Sequence, residues 1–148
     1  MYNMGQTTEQ NNIERFVKAQ DNHACYQTAL SEVSEGRKRS HWIWFIFPQM
    51  RGLGYSEMSH YYGIASLNEA KAYLAHPTLN ARQREICQAL LQREETALQI
   101  FGGIDALKVQ SSMTLFDLVA PQDIFAEVLD KFYGGERCQK TLELLGRL

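Results

Sequence analysis

The sequence has few of the features that mark disulfide-linked, zinc-binding or membrane-spanning proteins. Its three cysteines, Cys25, Cys87 and Cys138, are odd in number, far apart and without a C-x-x-C pair. We therefore expect reduced thiols in a cytoplasmic protein rather than a disulfide framework or a zinc ribbon, with a nucleophilic cysteine as the less favoured alternative. The longest apolar run, residues 42–48, is much too short to cross a bilayer.

The chain also lacks an excess of positive charge. Its formal net charge of −2 argues against general nucleic-acid binding, which normally requires a basic surface. Residues 1–11 contain neither a basic segment nor an apolar stretch, so we predict a flexible lead-in rather than a secretory signal. The remaining residues, 12–148, are long enough to form one domain without a metal or a disulfide.

Helical periodicity dominates what remains, and it predicts an all-α domain of about seven to eight helices. Gly36 and the Gly102-Gly103 pair stand where helices are expected to end, and Ser66-x-x-Glu69 is a capping-box pattern. Pro121 is expected at the first position of a helix. The expected helices cover residues 12–20, 22–35, 66–75, 79–101, 113–119, 121–133 and 136–145.

The run Trp42-Ile-Trp-Phe-Ile-Phe-Pro48 is the most unusual segment. Its β-branched and aromatic residues favour a strand locally, and periodicity alone cannot decide for so short a run. The sequence offers no second strand-like run to pair with it, and a lone strand leaves backbone groups unpaired. We therefore predict a central buried helix that ends or kinks near Pro48.

Residues 37–62 are the first candidate for a functional site, with residues 108–114 as a second wall. The segment combines cations, aromatic rings and the Gly52-x-Gly54 turn. Cations neutralise phosphate, aromatic faces stack on a base, and glycines let backbone N–H groups approach oxygens. The alternative is that the aromatic residues are core and that the cations flank a helix end.

Several polar residues are further candidates, each with a structural alternative. His41 and Gln49 bracket the apolar run and would contact either a ligand or the backbone. Glu57-x-x-His60 places both side chains on one helix face, but it occurs once, so we predict no metal site. Ser111, Ser112 and Thr114 follow Lys108 and would bind an anion or simply cap a helix. Asp105 and Lys108 are also spaced to form an ion pair.

The chain carries a set of specific motifs, namely GRKRSHWIWFIFPQ at residues 36–49, GLGYS at 52–56, YGI at 62–64, AYLAHP at 72–77, SSMTLF at 111–116 and LDKF at 129–132. Together they resemble the bacterial family known as the domain of unknown function 1810. The resemblance covers nearly the whole chain and implies a small multihelical domain with a buried central helix. Members are sometimes labelled calpastatin-like, and the family carries no established activity.

The segment at residues 56–62 also looks somewhat like the NAD- and ADP-ribose-associated helical superfamily, whose members resemble N-glycosidases or ADP-ribose-processing enzymes. That pattern has a glutamate directly before the His-Tyr pair and a lysine shortly after it. Here Ser59 precedes His60, and residues 64–66 contain no lysine. Glu57 and Lys108 would replace the missing pair only if the fold brings them together.

These observations predict the binding or processing of a small anionic, nucleotide-like ligand related to ADP-ribose or NAD. They do not decide whether the protein is an enzyme, and they name no cofactor. Glu57 and His60 would supply any acid–base chemistry. The expected binding residues are Arg37, Lys38, His41, Trp44, Gln49, Gly52, Gly54, Tyr61, Lys108 and Ser112. The alternative is a non-catalytic protein-interaction domain with an unidentified partner, in which the tryptophans are only core.

Overall fold

The computed structural model describes residues 4–147, and the side chains of residues 13–147. Its described residues form ten α-helices and no strand, so the all-α prediction is confirmed, with more helices than expected. A 3-10 turn, Asn22–Ala24, joins the first two helices. The helices are α1 (Met4–Asp21), α2 (Cys25–Ser34), α3 (Ile43–Ile46), α4 (Glu57–Tyr61), α5 (Leu67–Ala75), α6 (Pro77–Leu91), α7 (Ala97–Phe101), α8 (Gly103–Val119), α9 (Ile124–Tyr133) and α10 (Gln139–Leu144).

Helix α1 begins earlier than the sequence predicted. The expected helix covers residues 12–20, whereas the backbone is already helical from Met4. The lead-in predicted for residues 1–11 therefore falls partly on this helix and partly on residues 1–3, which lie outside the described residues. None of the described helices combines the length and the apolar character that crossing a membrane requires.

Gly36 ends α2 as the sequence predicted. It has a φ of 81°, its N–H donates to the carbonyl of Val33, and the N–H of Arg37 donates to the carbonyl of Glu32. A residue with positive φ is what this type of helix end requires, and glycine adopts it without a side-chain clash. The chain consequently turns sharply into residues 37–42.

The Trp-rich run is helical for only one turn, which corrects the expected central helix. Helix α3 spans Ile43–Ile46 and ends at Phe47, where φ is −123° and ψ is 71°. A residue before proline is pushed away from helical angles, so Pro48 stops the helix one residue early. The central buried helix is α8, whose residues 111–116 are all buried.

Helix boundaries between residues 77 and 124 also differ from the prediction. The expected helix 79–101 is divided, because Thr96 and Gln99 form a capping box that starts α7. Gly103 begins α8 rather than ending the preceding helix, and α8 replaces the short helix predicted at 113–119. Pro121 lies before α9, whose N-cap is Asp123.

The loop between α3 and α5 is fixed at both ends by one isolated parallel bridge between Met50 and Ile64. The N–H of Ile64 donates to the carbonyl of Gln49 at 2.8 Å, and the N–H of Arg51 donates to the carbonyl of Ile64 at 2.8 Å. This bridge closes residues 52–63 into a loop that carries α4. It also fixes the backbone of Gln49 directly after α3, which in turn packs on α1 and α8.

Candidate functional site

A cavity of about 230 Å³ lies between α3, the segment that follows it and the first half of α8. It is smaller than the roughly 300–1,000 Å³ of typical ligand pockets. Four of its residues come from α8 and four from the segment 44–54. They are Trp44, Gln49, Leu53, Gly54, Ile104, Leu107, Lys108 and Ser111.

Trp44 is the residue of α3 that faces this cavity. Its helical neighbours Ile43, Phe45 and Ile46 are buried in the core, whereas Trp44 is half-buried. The ammonium of Lys108 lies 3.7 Å from the centroid of the Trp44 ring. At this distance the cation is attracted to the negative face of the ring, so Lys108 covers one face of Trp44.

Asp105 connects two lysines at the edge of the cavity. Its carboxylate lies 3.3 Å from the ammonium of Lys108 and 2.9 Å from that of Lys38. The ammonium of Lys38 also lies 5.1 Å from the ring centroid of Trp42 and donates to the carbonyl of Ser40. The Asp105–Lys108 pair predicted from the sequence is thus present. Two cations share one carboxylate, so this cluster has a formal surplus of one positive charge.

Gln49 contributes a polar group that the fold leaves unused. Its backbone carbonyl accepts from Ile64, but its side-chain amide has no hydrogen bond to any residue among those described. Gly54 lies beside it, and a Cβ at this position would stand 2.9 Å from the hydroxyl oxygen of Ser59. Glycine is therefore the residue that allows the loop to approach α4 here.

Several predicted site residues lie outside the cavity. Arg37 and His41 are exposed in the segment after α2, and Gly52 lies beside Leu144. Tyr61 lines a separate, wide depression with Arg15, Lys18 and Asn22. None of these residues contacts the space between Trp44 and Lys108.

The predicted acid–base residues, Glu57 and His60, do not border the cavity either. Both are exposed on the short helix α4. Their Glu-x-x-His spacing does place them on one helix, whose N-terminus is capped by the Ser56 hydroxyl. The fold does not bring Glu57 to the cavity that Lys108 lines, so the substitute pair suggested by the sequence is not formed there.

Ser112 requires a correction. The sequence placed it at a helix N-terminus with amides free to bind an anion, but it lies in the middle of α8. Its side chain is fully buried, and the hydroxyl has no hydrogen-bond partner among the described residues. Ser111, the adjacent residue, lines the cavity instead, and its hydroxyl donates to the carbonyl of Leu107.

Ile104, Leu107 and Leu53 border the cavity but were not predicted as site residues. Ile104, Leu107, Lys108 and Ser111 are spaced i, i+3, i+4 and i+7, so they share one helical face. This spacing can be found in the sequence, but only if the helix is taken to begin at Gly103.

Exposed apolar residues of the cavity lining, and others close to it along the chain, form what we call the apolar rim. Ile104 is 74% exposed and Leu107 is 64% exposed, and both are large apolar side chains. Leu98, which is 65% exposed, lies beside Gly103 at the start of α8. Leu144 is exposed next to Gly52. Exposed apolar residues that cluster around a cavity are typical of a binding surface.

Residues 10–145 match the family described as "Protein of unknown function (DUF1810)". The chain belongs to this family. The resemblance read from the segment 36–49 and the later motifs is therefore confirmed.

The structure of this DUF1810 chain is similar to the crystal structure of the conserved hypothetical protein Rv1873 from Mycobacterium tuberculosis. The two chains are 43% identical, the match covers 91% of this chain and 96% of that one, and the TM-score is 0.87. A comparison with curated proteins finds no match. These comparisons give the fold and the family but no activity, and the ADP-ribose resemblance stays a prediction.

Proposed function

We propose that this chain binds a small anionic ligand in the cavity between Trp44 and Lys108. The observation that carries the proposal is the position of the Lys108 ammonium, 3.7 Å from the Trp44 ring centroid at the wall of a cavity. An ammonium has three donors, and the contact with Asp105 leaves others for a ligand. An anion would also balance the surplus positive charge of Lys38, Lys108 and Asp105.

The finer prediction, a nucleotide-like ligand related to ADP-ribose or NAD, is part of the same proposal. The cavity, at about 230 Å³, lies below the range of typical ligand pockets and is small for a whole nucleotide. A nucleotide would therefore place one anionic end beside Lys108 and leave the rest outside the cavity. Its base would stack on Trp44 only if Lys108 moved from the ring.

We propose binding rather than catalysis at this site. The described residues that line the cavity include one titratable group, Lys108, and neither Glu57 nor His60 lies among them. The carboxylate and imidazole expected to supply acid–base chemistry therefore do not reach a ligand bound here, as general acid–base catalysis requires. The proposal assumes a cytoplasmic setting, in which the three free cysteines would stay reduced.

A thermal-shift panel of phosphate, AMP, ADP-ribose and NAD tests the proposal. A ligand at a hundred times its dissociation constant stabilises the folded state by about 2.7 kcal/mol, which shifts the melting temperature by several degrees. We expect at least one anion to stabilise the wild type and to lose that effect in Lys108→Met, which keeps the length of the side chain but not its charge.

The matched control is Lys71→Met, which removes an exposed lysine of α5 that does not line the cavity. We expect Lys71→Met to respond to the anions as the wild type does. If Lys108→Met and Lys71→Met behave alike, Lys108 does not hold the anion and the proposal is wrong.

The apolar rim favours a second candidate, a protein-interaction domain. Leu98 belongs to the rim but does not line the cavity, so Leu98→Ser separates the two candidates. If the protein is an interaction domain, a protein partner should bind the wild type and should not bind Leu98→Ser. Ligand binding predicts that Leu98→Ser keeps the full response to the anion.

A further inference from the structure

The lining of the cavity is mainly apolar and carries few polar groups. Trp44, Leu53, Ile104 and Leu107 supply its apolar surface. A ligand that fills this space therefore gains from burying an apolar body, at about 25 cal/mol for each Å² removed from water. A free inorganic anion has no apolar part and would leave this apolar surface in contact with water.

The charged part of the cavity is suited to a single negative charge. Its lining contains one lysine and no arginine. Sites for phosphate usually offer bidentate arginine or several backbone N–H groups at a helix N-terminus. Here the carboxylate of Asp105 already satisfies part of the charge of Lys108 and Lys38, so the surplus is one unit. This surplus matches a monoanion better than a phosphate dianion.

The unpaired amide of Gln49 supplies a second polar group in the same cavity. A carboxylate has two oxygens, and each accepts hydrogen bonds. The ammonium of Lys108 and the amide of Gln49 are both donors, so one carboxylate would satisfy both groups.

We infer that the occupant is a monocarboxylate with a compact apolar body, such as an aromatic ring or a branched aliphatic group. This inference rests on the proposed function and names its ligand class. The carboxylate accepts from Lys108 and Gln49, and the apolar body packs against Leu53 and Leu107. A cavity of about 230 Å³, small for a ligand pocket, suits a compact ligand such as benzoate better than a larger one.

Calorimetric titration with four matched probes tests the ligand class. Benzoate carries both the ring and the carboxylate, benzamide lacks the charge, acetate lacks the ring, and phenyl phosphate replaces the carboxylate. We expect the wild type to bind benzoate roughly tenfold more tightly than benzamide, because hydrogen bonds to charged groups are the stronger ones. Acetate and phenyl phosphate should each bind more weakly than benzoate.

Three variants connect the result to the cavity. In Lys108→Met the preference for benzoate over benzamide should fall to about one, while Lys71→Met should keep it. Leu53→Ser should weaken the binding of benzoate and leave the binding of acetate unchanged. A melting curve for each variant verifies that it folds.

The outcomes separate this inference from the proposed function. If phenyl phosphate or ADP-ribose binds through Lys108 more tightly than benzoate, the ligand class is wrong and the anion site stands. Equal binding of benzoate and benzamide to the wild type overturns the inference, because charge would then play no part. If none of the anions binds, both the inference and the proposed function are overturned.

Discussion

Glu32 is a buried carboxylate that organises the segment between α2 and α3. One of its oxygens accepts from the backbone N–H groups of Arg39 and Ser40 and from the indole N–H of Trp42, at 2.8, 3.0 and 2.9 Å. The other accepts from the hydroxyl of Ser40 at 2.6 Å. These bonds hold the chain on its way from α2 to Trp42 and thereby position Lys38 near Asp105.

Replacing Glu32 by Gln should destabilise the fold by about 1.5–3 kcal/mol, because charge-assisted hydrogen bonds to buried donors are lost. Urea unfolding measures the effect. The matched control is Glu35→Gln, which removes an exposed carboxylate that pairs with Arg39. Exposed ion pairs of this kind contribute little to stability, so the control should leave the urea concentration at the midpoint of unfolding nearly unchanged. Equal effects of the two substitutions would show that Glu32 does not have the role described.

The stability contributed by Glu32 should depend on pH. Burial raises the pKa of the Glu32 carboxyl, but the hydrogen bonds from Ser40, Arg39 and Trp42 outweigh it and lower the pKa to about 2. A folded-state pKa below the unfolded value means that the unfolded chain binds the proton first as the pH falls. The stabilisation is therefore complete above the unfolded pKa, about 4.3, and is lost as the pH falls towards 2.

Urea unfolding of wild type and Glu32→Gln across pH 2 to 6 tests this sign. The difference in unfolding free energy should be largest at pH 6 and should shrink as the pH is lowered. Because the other carboxylates are common to both proteins, the difference reports on Glu32. A difference that stays constant down to pH 2 would contradict the lowered pKa.

Two hydroxyls of α8 should respond to substitution in opposite directions. The hydroxyl of Ser112 is buried without a partner among the described residues, so Ser112→Ala should stabilise the fold by about 1 kcal/mol. The hydroxyl oxygen of Thr114 accepts from the N–H of Cys138 at 2.9 Å, and Thr114→Val would leave that N–H unpaired. Thr114→Val should therefore cost about 1–3 kcal/mol. Thermal unfolding compares both, and a loss of stability in Ser112→Ala would show that its hydroxyl has a partner.

At the scale of the helices, Gly36 shows how one position combines backbone and steric constraints. It has a φ of 81°, and a Cβ there would lie 2.6 Å from a carboxylate oxygen of Glu95. Arg93 holds that carboxylate at 2.9 Å. Gly134, at the end of α9, has a φ of 60° with nothing within 4 Å of a Cβ.

Gly134→Ala should therefore cost only the left-handed backbone strain, about 1–2 kcal/mol. Gly36→Ala should cost more, because the new methyl group also displaces Glu95 from Arg93. In a Glu95→Ala background the two glycine substitutions should become equally destabilising, which chemical denaturation measures. If Gly36→Ala costs no more than Gly134→Ala in the wild-type background, the close approach of Glu95 does not constrain this turn.

Helix ends were predictable wherever local chemistry decides them. Ser66 accepts from the N–H of Glu69 and starts α5, Gly36 ends α2 as expected, and α9 ends at Tyr133, the last residue of the predicted range. These signals act within a few residues, so sequence alone carries them. The capping box is nevertheless incomplete, because the carboxylate of Glu69 accepts a hydrogen bond from the N–H of Ala65 rather than from that of Ser66.

Other helix boundaries were not predictable, because two sequence patterns compete at them. Apolar periodicity continued through residues 90–101 and concealed the Thr96-x-x-Gln99 capping box that divides α6 from α7. Pro48 limited α3 to one turn, although the run before it is uniformly apolar. The Gly102-Gly103 pair is typical of a helix end, so the sequence does not indicate the early turns of α8 or their face towards the cavity.

At the scale of the whole molecule, the residue types of the candidate site were predictable but their grouping was only partly so. Trp44, Gln49, Gly54 and Lys108 meet at one cavity, because α3 packs against α8 and the Met50–Ile64 bridge fixes the loop between them. Tyr61 lines another depression, and Glu57 and His60 are exposed on α4. The spacing and composition of the sequence do not predict where such residues lie in the tertiary structure.

Tryptophan fluorescence tests most directly whether an anion binds between Trp44 and Lys108. The chain has two tryptophans, of which Trp42 is fully buried and Trp44 faces the cavity beneath the Lys108 ammonium. We predict that benzoate, or the strongest anion of the thermal-shift panel, changes the emission in a saturable way and that Trp44→Phe abolishes the change. An anion that raises the melting temperature but leaves the wild-type emission unaltered would bind elsewhere and contradict the account.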